Sequence, residues 1–317
     1  MDAKPARQNH IATLDLLRLA AALAVVFYHY FFRGAAGDGY LAEGYPSVAP
    51  FAIYGYLGVN LFFLISGFVI AWSAENRRWE QFAVARFVRL YPGFVLCMTI
   101  TFAIIVATGT PLFPASPGQY VANLSMFPPA LGQPFMDGVY WSIALELIFY
   151  GWVTLALFTG VFQKWKLPLI CTWLLISALN ELFVGSGAVR LLFITEFGPF
   201  FAAGILVQHI HAHGRSTAAL LLLAAAFLIS CFTLSVTQQW MIGHYGIAVS
   251  SGHLVVANIF MHAMLTGAVL LRGRVRPSAL MLALGGLTYP LYLLHQNIGY
   301  LVINATAPLV GKWVAAW

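Results

Sequence analysis

The chain has 317 residues, of which 61% are hydrophobic and 8% are Asp, Glu, Lys or Arg, with a formal net charge of +6. Soluble globular chains carry about 25% charged residues, so this one lacks the polar surface of a cytosolic enzyme, a secreted disulfide scaffold or a disordered tail. Its three cysteines, Cys97, Cys171 and Cys231, each sit inside an apolar run and offer no disulfide framework. Its basic residues lie in short loops between apolar runs, which is a topology signal and not a nucleic-acid surface.

The opening Met-Asp-Ala-Lys-Pro-Ala-Arg is followed by no small-residue cleavage site, so no removable signal peptide is expected. A membrane helix needs about 20 apolar residues, and the runs predict spans at 14–33, 54–73, 92–110, 139–160, 167–184, 190–208, 218–237, 253–271 and 278–304. Residues from Pro308 to Trp317 are too few to cross again and give at most the stub of a tenth helix. The expected fold is all-α: a polytopic transmembrane bundle of nine spans, with residues 1–317 forming a single domain. Continuous runs, without ten-residue alternation, exclude a β-barrel. The longest loops, near 34–53 and 110–138, are rich in Gly, Pro and aromatic residues.

With the N-terminus in the cytoplasm, alternate loops put twelve basic residues inside: Lys4, Arg7, Arg77, Arg78, Arg86, Arg89, Lys164, Lys166, Arg215, Arg272, Arg274 and Arg276. Three, Arg33, Arg190 and Lys312, fall outside, while Arg18 lies within the first span. That imbalance sets the orientation, with the N-terminus in the cytoplasm and the spans in contact with lipid.

Ionisable groups within a span cost about 2.5–3.5 kcal/mol each on insertion scales and mark function. The first span carries Asp15, Arg18 and His29. Eleven steps of about 100° bring His29 back to the face of Arg18, about 16 Å further along the helix. Asp15 and Arg18 also fit a plain i,i+3 pair, with His29 bonded to a neighbouring carbonyl. Glu146 lies about two turns into its span, and His295 lies at a similar outer depth. Two histidines and a carboxylate there suit general-base chemistry. Glu181 and Glu196 read as helix-packing groups. At the inner mouth, Arg86 and Arg89 are i,i+3 beside Tyr91-Pro92 and present planar forks suited to phosphate. The alternating His209, His211 and His213 beside Arg215 read as a solvated loop, and no group of residues has metal-ligand spacing.

Five segments in order resemble the acyltransferase family 3 membrane proteins: Leu14-Asp-Leu-Leu-Arg18 through His29; Gly58-Val-Asn-Leu-Phe-Phe-Leu-Ile-Ser-Gly-Phe68; Arg86-Phe-Val-Arg89-Leu-Tyr-Pro92; Trp141-Ser-Ile-Ala-Leu-Glu146-Leu-Ile-Phe-Tyr150; and Thr288-Tyr-Pro-Leu-Tyr-Leu-Leu-His295. Two features depart from that pattern. Asn60 stands where many members have Asp, and the chain ends inside what would be the family's tenth span. The resemblance implies a membrane O-acyltransferase that takes acyl-CoA, most often acetyl-CoA, as donor. The acceptor would be a hydroxyl of a surface glycan or a lipid-linked sugar, and no metal is required. It implies that His29 is the general base or acyl acceptor, with Glu146 and Asp15 as orienting catalytic carboxylates. Arg18, Arg86 and Arg89 would hold the phosphates of CoA, and Trp141, Ser142 and His295 would contact the substrate. A transporter or flippase would also carry charge and histidine inside the membrane, but no inverted repeat is visible. A non-catalytic scaffold would tolerate loss of His29.

Overall fold

The computed structural model describes residues 11–275 and 277–316. Lys4, Arg7 and Arg276 of the charge count therefore lie outside the described residues. Ten apolar helices form the bundle, and no strand occurs among the described residues. Eight are long and apolar enough to cross a membrane: α1 (Ala12–Gly37), α2 (Ala49–Ala74), α3 (Trp79–Thr108), α4 (Tyr140–Phe158), α5 (Lys166–Val184), α6 (Gly187–His213), α7 (Thr217–Tyr245) and α8 (Ser251–Leu270). Two shorter ones, α9 (Ala279–Leu294) and α10 (Asn297–Val310), complete it. The protein is an all-α, multi-pass membrane bundle.

Several boundaries differ from the hydropathy reading, each for a local reason. The single run 278–304 is divided at His295–Gln296 into α9 and α10. Helix α3 starts at Trp79 instead of 92, with Pro92 inside it. Membrane helices tolerate an internal proline because neighbouring groups can satisfy the freed carbonyl, so Arg86 and Arg89 stand on a helix and not in a loop. Helix α2 begins earlier than residue 54, at Ala49, with Pro50 in its first turn, where its missing N–H costs nothing. His209, His211 and His213 are helical, at the end of α6. There His213 Nε2 lies 3.3 Å from Glu75 Oε1, so the solvated-loop reading is corrected. The last described helical turn, Lys312–Ala315, is tied back by Tyr45 OH donating to the Lys312 carbonyl at 2.7 Å.

Serine side chains start four of the helices. Ser186, Ser216, Ser250 and Ser278 each accept the backbone N–H three residues on, satisfying a donor the helix cannot. Lipid gives no hydrophobic drive for helix association, so close packing and polar contacts hold the bundle. Gly67 of α2 lies against the Phe201 carbonyl of α6, and Gly204 against the Leu64 carbonyl, so these two backbones touch. Gly58 does the same for α2 against α1 at Ala21 and Val25. Asn258 donates to Ser230 Oγ at 2.8 Å between α8 and α7.

Two pairs of contacts fix the run of α9 beside α1. Gly285 meets Asp15 near the start of both helices, and His295 meets His29 further along. The two helices therefore run parallel, with an arginine end near Arg18 and a histidine end near His29.

Candidate active site

Among the described residues, two cavities bring predicted site residues together. The first, about 340 Å³, opens at the arginine end and is lined by Arg18, Arg86, Arg89, Glu146, Ser66 and Ser142 among others. Arg18 NH1 is 3.3 Å from Asp15 Oδ1 on the preceding turn. Glu146 accepts from Ser66 and, at 2.6 Å, from Tyr150 OH. Arg86 stacks over Phe82 at 5.7 Å, and its Nε is buried with no hydrogen-bond partner. A buried donor left unsatisfied is costly.

The second cavity, about 580 Å³, lies at the histidine end and is lined by His29, Arg33, Asn60, Trp141, Glu196 and Trp240 among others. Its wall is completed by the last turns of α7, which continue beyond the expected limit at 237 to Tyr245. Tyr28 OH and Tyr245 OH are hydrogen-bonded at 3.0 Å across it. Val59 and Tyr292 line both cavities. Ser142 shares a 2.7 Å hydrogen bond with Tyr292 OH at that boundary.

His29 stands where α1 changes from α-helix to a π-helical stretch, His29–Gly37. Such wider turns are frequent at functional sites. Its tautomer follows from its partners. Nδ1 lies 2.8 Å from the Val25 carbonyl, which can only accept, so Nδ1 carries the hydrogen. His295 Nδ1 lies 2.9 Å from the Tyr292 carbonyl and carries a hydrogen for the same reason. The lone pair on His295 Nε2 then faces His29 Nδ1–H at 3.1 Å. That leaves His29 Nε2 as the ring nitrogen without a hydrogen, its lone pair turned toward Arg33. Arg33 NH1, which can only donate, is 3.4 Å from it.

The surrounding groups hold this pair from every side. Tyr300 OH donates to the His29 carbonyl at 3.2 Å and Tyr30 OH to the His295 carbonyl at 2.8 Å. Arg33 Nε donates to Asp38 at 2.6 Å, and NH1 to Gln296 Oε1 at 3.1 Å. Asp137, in the loop before α4, accepts the N–H groups of Asn297 at 3.0 Å and Val139 at 3.1 Å, pinning the start of α10. Burial pushes the Asp137 carboxyl up to about 6, against the pull of those two N–H donors.

The structure thus separates the predicted residues into three groups. Arg18, Arg86, Arg89, Glu146 and Ser142 share the arginine cavity, and Asp15 is attached to it through Arg18. His29 and Trp141 share the histidine cavity. His295 is buried behind His29, with both ring nitrogens engaged by protein. Glu146 lies with the arginines and not beside His29. Arg33, Gln296 and Tyr292 were not among the predicted site residues, although Arg33 is four residues from His29 and Tyr292 three from His295. Glu196, read as a packing group, bonds Thr237 of α7 at 2.8 Å and also lines the cavity.

Comparison with known proteins agrees with this architecture. A family model described as an acyltransferase domain matches residues 11–317. Acyltransferase MdmB of Streptomyces mycarofaciens is 30% identical over 155 residues, spanning 46% of this chain and 39% of that protein. Nodulation protein 10 of Rhizobium leguminosarum bv. viciae is 24% identical over 341 aligned residues, 98% of this chain and 87% of the relative. Peptidoglycan O-acetyltransferase OatA of Listeria monocytogenes serovar 1/2a is 26% identical over 178 residues, 50% of this chain and 25% of that protein. No solved structure gives a significant match. With a family model covering the bundle from its first described residue, the chain belongs to the acyltransferase family and is a multi-pass membrane acyltransferase.

Proposed function

We propose that the protein moves an acyl group, acetyl in the first instance, from cytosolic acyl-CoA to a hydroxyl of a glycan or lipid-linked sugar on the other side of a bacterial inner membrane. The observation that carries this reading is the pair of cavities with a common wall at Val59 and Tyr292. Arginines line one and an imidazole base lines the other. Arg18, Arg86 and Arg89 outnumber Glu146 and Asp15 at the arginine cavity, which suits the phosphates of CoA. This end is the cytoplasmic one, with the N-terminus on the same side, in keeping with the basic loops. The slender pantetheine arm would pass the Ser142–Tyr292 boundary and present its thioester to His29.

On this reading His29 Nε2 takes the acceptor proton as its oxygen attacks the thioester, and neutral imidazole suits that role. His295 is a positioning residue that fixes the tautomer of His29 through Nδ1. Glu146 and Asp15 set the arginines in place. Trp141, Trp240 and Glu196 in the histidine cavity give a sugar two aromatic faces and a hydrogen-bond acceptor. The test is acetyl-CoA binding by purified protein, followed by CoA release with and without acceptor. Binding with acceptor-dependent release supports the transferase. Passage of a labelled sugar through proteoliposomes without CoA release would replace it with a transporter.

A further inference from the structure

We propose that Arg33 is a catalytic residue, the cation that stabilises the oxyanion formed when an acceptor attacks the thioester at His29; this rests on the acyl transfer proposed above. Five arginines line the two cavities: Arg18, Arg86 and Arg89 the arginine cavity, and Arg33 and Arg190 the histidine cavity. Arg190 also reaches the histidine cavity, but its fork is spent on Glu181, with NH2 to Oε2 at 2.6 Å and Nε to Oε1 at 3.0 Å. Arg33 is the cation placed at the base atom, with NH1 3.4 Å from His29 Nε2.

Its mounting fits that task. Asp38 grips the Nε edge of the guanidinium at 2.6 Å and is itself 3.1 Å from His244 Nε2. Gln296 accepts from NH1 at 3.1 Å, and the guanidinium carbon lies 5.9 Å from the centre of the Tyr40 ring. The group is therefore oriented before any substrate arrives, the condition under which an anion donor contributes most to catalysis. In the tetrahedral intermediate the attacking oxygen and the former carbonyl oxygen share one carbon. A base and an anion donor serving those two oxygens must be close neighbours, as His29 Nε2 and Arg33 NH1 are.

The step balances. The acceptor oxygen bonds to the acyl carbon while its proton passes to His29 Nε2, and the carbonyl electron pair moves onto oxygen beside Arg33. Re-forming the carbonyl breaks the carbon–sulfur bond, and the CoA thiolate leaves with the proton from His29.

The assay uses the full chain in detergent, acetyl-CoA as donor and N-acetylglucosamine as surrogate acceptor, with CoA release as the signal. For Arg33→Ala the expected result is a kcat lower by about 10²–10³, unchanged acetyl-CoA affinity, and turnover that rises with guanidinium ion added below denaturing levels. Arg33→Lys should retain more activity than Arg33→Ala. A strap that merely ties α1 to its loop predicts equal losses of melting temperature in Arg33→Ala and Asp38→Asn, and no rescue by guanidinium. That pattern, or a wild-type kcat in Arg33→Ala, overturns the assignment. Wild-type protein that releases no CoA refutes the transferase reading itself, and the role of Arg33 with it.

Discussion

Replacing Gly58 by Ala tests how the packing of α2 on α1 positions the base. A Cβ at Gly58 would lie 2.8 Å from Val25 Cγ2 and would press on the Ala21 carbonyl. Carbon atoms prefer about 3.5–4.0 Å, so Val25 must retreat by at least about 0.7 Å. Overpacking of this kind costs about 1–3 kcal/mol. The Val25 carbonyl also holds His29 Nδ1 at 2.8 Å, so the displacement is passed to the imidazole. Misplacement by about 1 Å can cost on the order of 10²-fold in rate. Gly151, also helical, has no heavy atom within 4 Å of an added Cβ, so Gly151→Ala should be neutral or stabilising by up to about 1 kcal/mol. Thermal unfolding in detergent and CoA release measure both variants. The expectation is a lower melting temperature and a lower kcat for Gly58→Ala alone. If Gly58→Ala melts and turns over like Gly151→Ala, the helix contact does not set the position of His29.

Three further outcomes follow from the site. Arg86→Ala and Arg89→Ala each remove a charged partner for the donor, an effect of about 1.5–3 kcal/mol, so acetyl-CoA affinity should fall by roughly 10- to 100-fold; titration calorimetry should show a smaller loss for Arg77→Ala, and equal losses would make all of them topology anchors. His295→Ala removes the 3.1 Å contact to His29 but leaves the base, so kcat should fall by less than the roughly 10²–10⁴ expected for His29→Ala, with donor affinity unchanged; a loss as deep as that of His29→Ala would make His295 a proton carrier. The raised Asp137 carboxyl makes the native state bind its proton more tightly than the unfolded chain between 3.8 and about 6, so its contribution to stability improves as pH falls through that window. The melting temperature of wild type minus that of Asp137→Asn should therefore rise from pH 7 to pH 5, and a pH-independent difference would contradict the burial of this group.

Much of this molecule was legible from residue pattern, because a bilayer imposes length and polarity on every span. The runs and basic loops gave the bundle, and helical spacing put Asp15, Arg18 and His29 along one helix. Boundaries were harder. Pro92 read as a helix start because proline usually ends one, yet α3 runs through it. The break at His295–Gln296 carries no glycine or proline signal. It comes from tertiary bonds, as Gln296 accepts from Arg33 and the Asn297 N–H is taken by Asp137. Arg33 was counted as an outer-loop charge because the span was ended at residue 33, whereas α1 continues to Gly37 and keeps Arg33 one turn from His29. The position of Glu146 among the arginines depends on Ser66 and Tyr150, and the approach of α2 to α4 that supplies Ser66 leaves no mark in the pattern of α4.

The most direct test of a donor clamp and a separate base is acetyl-CoA binding to wild type, His29→Ala and Arg89→Ala, measured alongside O-acetylation of surface glycan in cells expressing each. The arrangement of the two cavities predicts that His29→Ala binds acetyl-CoA like wild type but transfers it roughly 10²–10⁴ more slowly, while Arg89→Ala binds it more weakly. Folded wild-type protein that binds no acyl-CoA would contradict the account.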